Sequence, residues 1–240
     1  MPFLILSDIH GNLEALTAVL EDARGRYDRI LCLGDLVGYG ADPNAIVEWV
    51  RANVDVVVRG NHDKVCVGLD SAEHFNHAAQ ASARWTESQL NAENRAYLER
   101  LPRGPLPYQS LDLVHGSPAD EDEYLQSAYQ LQGYLPFLGA QVTLFGHTHV
   151  QGGFLLTTRA AAPISPRGVL DIEPDYYYLI NPGSVGQPRD RDPRAAYALY
   201  SEEERTVEYR RVAYDAHRAG AKIRAAGLPD FLAARLLEGI

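Results

Sequence analysis

The chain has 240 residues, 46% of them hydrophobic and 22% charged, an ordinary globular composition that excludes a disordered or fibrous chain and sustains one large core. A formal net charge of −10 works against broad attraction to nucleic acid or an anionic membrane, so no stable nucleic-acid or membrane partner is expected. Cys32 and Cys66 have no short-spaced partners, and Met1 to Leu6 carries neither a basic leader nor a long apolar run, so the expected location is cytoplasmic.

In chain order, Phe3 to Ser7 reads as an apolar strand, and Asn12 then caps a helix whose Leu13, Leu16, Val19, Leu20 and Ala23 form one stripe. Ile30 to Leu33 is the next strand. Asp42 and Pro43 open a second helix, with Ala45, Ile46, Trp49 and Val50 facing the core, and Asp55 to Arg59 is a third strand. This β-α-β-α-β order demands parallel strands in a layered α/β sheet. Ser71 to Leu101 turns helical, with Asn91 capping between two helices and Pro102, Pro105 and Pro107 ending the stretch, so a helical insertion or lid is expected at about 71–104 of a single domain spanning 1–240.

Leu111 to Val114 and Gln141 to Phe145 are further expected strands, separated by a helix containing Tyr124, Leu125, Ala128 and Leu131. The acidic run Asp120 to Glu123 reads as a solvated helix start. Beyond residue 150 the pattern is β-rich: Phe154 to Thr158, Tyr176 to Ile180, Ala195 to Tyr200 and Thr206 to Val212 suit an antiparallel sheet, with Ala160 to Pro174 as a loop or hairpin tip. Asp215 to Leu237 carries two short helices broken at Gly227 and Pro229.

Five polar blocks stand at the ends of apolar runs: Asp8-Ile9-His10, Gly34-Asp35, Gly60-Asn61-His62-Asp63, His115-Gly116 and Gly146-His147-Thr148-His149. Loops at strand ends aim side chains into a shared crevice. Asp8, His10, Asp35, Asn61, His115, His147 and His149 together make seven nitrogen and oxygen donors, more than one tetrahedral ion takes, so the arithmetic favours two ions sharing a ligand. The mixed imidazole and carboxylate set suits manganese, iron, zinc, cobalt or nickel and does not choose among them; two divalent ions are expected, manganese first. Two such ions can hold a bridging hydroxide and clamp a phosphoryl group, so hydrolysis of a phosphoester is the reaction this set serves best.

His62 is left over from the ligand count. It is assigned as the catalytic group that protonates the leaving oxygen or hydrogen-bonds the phosphate, with Asp63 orienting its ring. Arg189, after a glycine- and proline-rich turn, is a candidate to bind a substrate phosphate, weighed evenly against a surface ion pair with Asp190 or Asp192. His74, His77 and His217 read as surface histidines, although the first two could overhang the site. Tyr176 and Tyr178 share a strand face and read as packing residues.

These blocks closely resemble the ordered signature of the calcineurin-like metallophosphoesterases. The resemblance extends through Gly11-Asn12-Leu13-Glu14-Ala15, Leu36-Val37-Gly38-Tyr39-Gly40 and Asn181-Pro182-Gly183-Ser184-Val185-Gly186-Gln187-Pro188-Arg189, as in the small bacterial and archaeal phosphodiesterase or diadenosine-tetraphosphatase-like branch. It implies Asp8, His10, Asp35 and His149 around one ion and Asp35, Asn61, His115 and His147 around the other. The implied fold is a four-layer α/β/β/α sandwich of two mixed sheets flanked by helices. The expected substrate is a small phosphodiester or nucleotide bound by Asn61, His62 and Arg189; a phosphoprotein phosphatase or phosphomonoesterase is the alternative, a non-catalytic scaffold the lesser one. A homo-oligomer is left open.

Overall fold

The computed structural model describes residues 1–240. Strand β1 (Phe3–Leu6) leads through helix α1 (Leu13–Asp22) to β2 (Arg29–Cys32), then through α2 (Pro43–Asn53) to β3 (Val56–Val57). Both crossovers join parallel strands, as the alternation requires. Asn12 caps α1 by accepting the Ala15 N–H, whereas Asp42 makes no side-chain cap bond and pairs instead with Lys222. In α2 the fully buried residues are Pro43, Ile46, Val47 and Val50; Trp49 is only partly covered.

A short helix α3 (Asn61–Cys66) follows β3, and α4 (His77–Gln89) and α5 (Ala92–Glu99) follow in turn, capped by the Asn76 and Asn91 side chains. Strands β4 (Leu106–Tyr108), β5 (Leu111–Leu113), β6 (Val142–Leu144), β7 (Gly152–Leu156) and β8 (Ala161–Ile164) come next. After them lie β9 (Val169–Asp171), β10 (Tyr177–Asn181), β11 (Ala195–Ser201), β12 (Thr206–Val212), α6 (Ala216–Ala225) and α7 (Asp230–Glu238). The stretch between Ala160 and Pro174, expected as a loop or hairpin tip, contributes two strands. One pairs with β7 in a hairpin, the other with β12.

Two mixed six-stranded sheets result, in the orders β3-β2-β1-β11-β12-β9 and β4-β5-β6-β10-β7-β8. All four residues of β1 are buried because both faces of its sheet are covered. Leu4 and Leu6 pack with α1 and α2, while Phe3 and Ile5 meet Leu113, Leu144, Tyr178 and Ile180 between the sheets. Tyr178 packs as its strand face suggests, and Cys32 and Cys66 are buried free thiols. No helix is long and apolar enough to cross a membrane.

One expected element is absent. Tyr124 to Leu131 forms no α-helix; the segment runs irregularly into two single 3₁₀ turns, Ala128–Leu131 and Leu135–Phe137. Its Leu125, Leu131 and Tyr134 cover Phe145, Phe154 and Leu179 on the outer face of the second sheet. The acidic run begins no helix either. Glu121 is buried and held by Arg59 and Lys64, and Glu123 bonds Ser117, so these carboxylates find partners in tertiary structure that a helix start would not bring them.

Candidate metal centre

The loops after β1, β2, β3, β5, β6 and β10 meet at one edge of the two sheets and carry all five polar blocks. Backbone bonds lace them together: Asp8 N–H to Gly34 O, His10 N–H to Asp35 O, and Gly186 N–H to Asp8 O, at 2.9 to 3.0 Å. Asp8, His10, Asp35, His147 and His149 all have positive φ, between 49° and 65°. This left-handed conformation is disfavoured for residues with a Cβ and persists where surrounding structure imposes it, commonly at functional sites. It turns five polar side chains out of the strand direction into one crevice.

There the donor atoms of Asp8, His10, Asp35 and His149 all lie within 4.8 Å of one another, and so do those of Asp35, His115 and His147. All six residues are buried. Asn61 joins the second group, its Oδ1 3.2 Å from His115 Nε2. Asp35 Oδ2 is 3.4 Å from both His10 Nε2 and His115 Nε2 and so belongs to both groups.

Backbone carbonyls set the tautomers. Nδ1 of His10 donates to Val37 O at 2.9 Å, of His115 to Leu33 O at 2.7 Å and of His149 to Gln187 O at 2.6 Å. Each Nε2 is thereby turned to the crevice, and those of His10 and His149 are 3.1 Å apart. Burial lowers His10 to about 4 and His149 well below the usual range, so both rings are neutral and two lone pairs face each other. Such a pair is unsatisfied unless a cation lies against it. For His115 burial again disfavours the charged ring, but the Asp35 carboxylate outweighs it and lifts the group to about 10. Burial raises Asp8 to about 7. The nitrogen and oxygen donors, two carboxylates and carbonyl-fixed imidazoles fit divalent transition-metal ions.

His62 projects from the first turn of α3 into an aromatic cage. Its ring lies 4.4 Å from those of Tyr39 and Phe75 and 4.9 Å from His10. Burial pushes it down to about 3, and Nδ1 has no partner. Gly38, at φ +84°, admits the ring: a Cβ there would stand 2.5 Å from Nδ1. Asp63 does not orient His62. Its carboxylate accepts the N–H groups of Gly60, Asp35, Leu36 and Val37, at 2.9 to 3.3 Å, because four converging backbone donors at the start of α3 outcompete one ring. An acid three residues after the Gly60 cap is the local signature of that helix start, and it could have revealed α3.

Arg189 forms no ion pair with Asp190 or Asp192, which are taken by Arg211 and Arg194. Its Nη2 instead donates to Gln187 Oε1 at 3.0 Å and to the Tyr39 hydroxyl at 3.3 Å, with the guanidinium over the Tyr39 ring. His74, His77 and His217 are exposed; Phe75, between the first two, reaches the site instead. Tyr124, expected on a helix, stacks on His147 at 3.7 Å. No local pattern marks it, since its partner is 23 positions further on.

Residues 1–205 match the model of the calcineurin-like phosphoesterase superfamily domain. An uncharacterized protein of Methanocaldococcus jannaschii is 36% identical over 241 residues, covering 98% of this chain and 97% of that protein. A metallophosphoesterase structure from Sphaerobacter thermophilus is 40% identical with a TM-score of 0.88, covering 100% of this chain and 99% of that one. A hypothetical protein from Pyrococcus horikoshii OT3 shares the fold at 24% identity and a TM-score of 0.79, covering 100% and 98%. With its two mixed sheets and its buried histidine and aspartate clusters at their common edge, the chain belongs to the calcineurin-like phosphoesterase superfamily.

Proposed function

We propose that the protein is a phosphoesterase dependent on two divalent transition-metal ions, manganese foremost, and that it hydrolyses a small phosphodiester or nucleotide. The observation that carries this reading is the pair of neutral His10 and His149 acceptor nitrogens 3.1 Å apart, each ring's other nitrogen committed to a carbonyl. Asp8, His10, Asp35 and His149 would hold one ion, and Asp35, Asn61, His115 and His147 the other. When bound, the ions supply a water of lowered pKa as nucleophile and positive charge opposite the phosphoryl oxygens.

The chain's own groups do the rest. His62 has Nδ1 buried against Gly38 and without a partner, so Nε2, on the opposite edge of the ring, is the nitrogen left to meet a substrate. From there the neutral ring donates a hydrogen bond to the phosphoryl or leaving-group oxygen as charge develops, and full protonation of the leaving group requires the ring first to take up a proton. Arg189 has only neutral partners, which leaves its charge uncompensated for a substrate phosphate. Phe75, from the helical stretch at about 71–104, stands over His62 and narrows the approach, which favours a small ester over a folded phosphoprotein.

Purified protein loaded with Mn²⁺ is expected to hydrolyse a generic phosphodiester, and a nucleotide diester faster than a phosphopeptide. No turnover of any phosphomonoester or phosphodiester would overturn the reading. His62→Ala should keep metal uptake and lose about 100-fold or more with an alkyl ester, whose leaving group most needs a proton; an unchanged rate would remove His62 from the chemistry.

A further inference from the structure

The start of α3 presents four consecutive side chains with separate tasks: Asn61 beside His115, His62 in its aromatic cage, Asp63 gathering backbone N–H groups, and Lys64. Lys64 is the one without an assigned role. It is only 6% exposed, and an ammonium is seldom buried to that extent unless it is paired. Its Nζ lies 2.6 and 2.9 Å from the two carboxylate oxygens of Asp122 and 3.3 Å from Glu121, which Arg59 grips through two further bonds.

The loop so fastened does something specific. The main-chain carbonyl of Asp122 lies 3.0 Å from His147 Nε2 and accepts its proton. His147 is the exception among the four clustered imidazoles: the other three donate from Nδ1 to the carbonyls of Val37, Leu33 and Gln187, and only this one donates from Nε2, to the loop between β5 and β6. A proton fixed on Nε2 leaves Nδ1 as the free acceptor of the ring. The orientation of His147 thus depends on where Asp122 is held, and Lys64 holds it.

We propose that Lys64 is a positioning residue: its ion pair with Asp122 places the carbonyl that fixes the tautomer and direction of His147, and so completes the second cation site. This rests on the two-ion reading above. The coupling runs from α3 to the loop before β6 without Lys64 touching an ion. Partners of this outer kind commonly change metal affinity about 10- to 100-fold when removed.

Titration of metal-free protein with Mn²⁺ by calorimetry, on the unsubstituted chain, Lys64→Met, Asp122→Ala and the double variant, tests it. The expected result is two binding events in the unsubstituted chain, with one weakened about 10- to 100-fold by either substitution, the other unchanged, and the double variant no worse than the singles. Nitrogen chemical shifts of the His147 ring should show protonated Nε2 in the metal-free unsubstituted protein and lose that single state in both variants. Asp122 is at the surface, so Asp122→Ala keeps the test open if Lys64→Met does not fold. Unchanged affinity, or equal weakening of both events together with a lower melting temperature, would overturn the proposal. No Mn²⁺ uptake by the unsubstituted chain would overturn the two-ion reading itself, whereas two events indifferent to Lys64 would overturn only the coupling.

Discussion

The two donor clusters share Asp35 and use the same kinds of side chain, yet they are built differently. Around Asp8, His10 and His149 the frame is two buried turns, closed by the Asp63 carboxylate on the Val37 N–H and by Ser184. Val37 and Gln187 carbonyls hold the rings, and Ser184 donates to Asp8 O while accepting the Gln187 N–H at 2.8 Å. Around His115 and His147 half of the frame is an irregular loop fastened by side chains, with Tyr124, 42% exposed, stacked on the His147 ring. The first cluster inherits its geometry from the fold; the second depends on local contacts that can be removed while the sheets stay intact. A perturbation of the first should therefore appear mainly as lost stability, and one of the second as lost affinity.

Asp35→Asn should erase the distinction, because its carboxylate belongs to both clusters and Oδ1 also accepts the His62 N–H at 2.9 Å. Both Mn²⁺ binding events should weaken, and turnover should fall beyond the ~100-fold that loss of an outer partner costs. A variant that kept one event at full affinity would show that the carboxylate is not shared. Ser184→Ala should separate the clusters from the stability side: it strands the buried Gln187 N–H at a cost of about 1–3 kcal/mol, read from the midpoint of urea unfolding, while Mn²⁺ affinities change little. If the affinities fell and stability did not, the frame of buried turns would be the fragile one.

Tyr124→Ala is the smallest of the three. Loss of a stacked ring is worth about 0.5–1.5 kcal/mol, so one binding event should weaken roughly two- to tenfold, with a smaller effect on the unfolding midpoint than Ser184→Ala because the residue is partly exposed. Weakening of both events equally would mean that Tyr124 acts on the centre as a whole.

Much of the fold was legible because it rests on short-range signals. The apolar runs of β1, β2 and β11, the Asn12 and Asn91 caps and the breaks around α6 and α7 are written in adjacent residues, and the structure follows them to within a residue or two. The helix expected through Tyr124 and Leu131 fails for the opposite reason. Its apolar spacing is real, but those side chains are drawn to His147 and to the outer face of the second sheet, and this tertiary demand overrides a modest local preference. The roles expected of Asp63 and of the acidic run failed likewise. Carboxylates bind where donors converge, and the donors came from Leu36, Val37, Arg59 and Lys64 on other elements.

The sequence by itself determined the α/β layering, the family resemblance and the set of polar residues at the strand ends, since periodicity, capping and motif order survive in one dimension. Only the tertiary structure decided which imidazole nitrogen faces the crevice, that Arg189 has neutral partners, and that Lys64 and Tyr124 stand behind His147. Those properties depend on direction and on neighbours: a left-handed φ aims a ring, and a carbonyl far away in the chain chooses its proton. Neither leaves a trace in the spacing of residues along the chain.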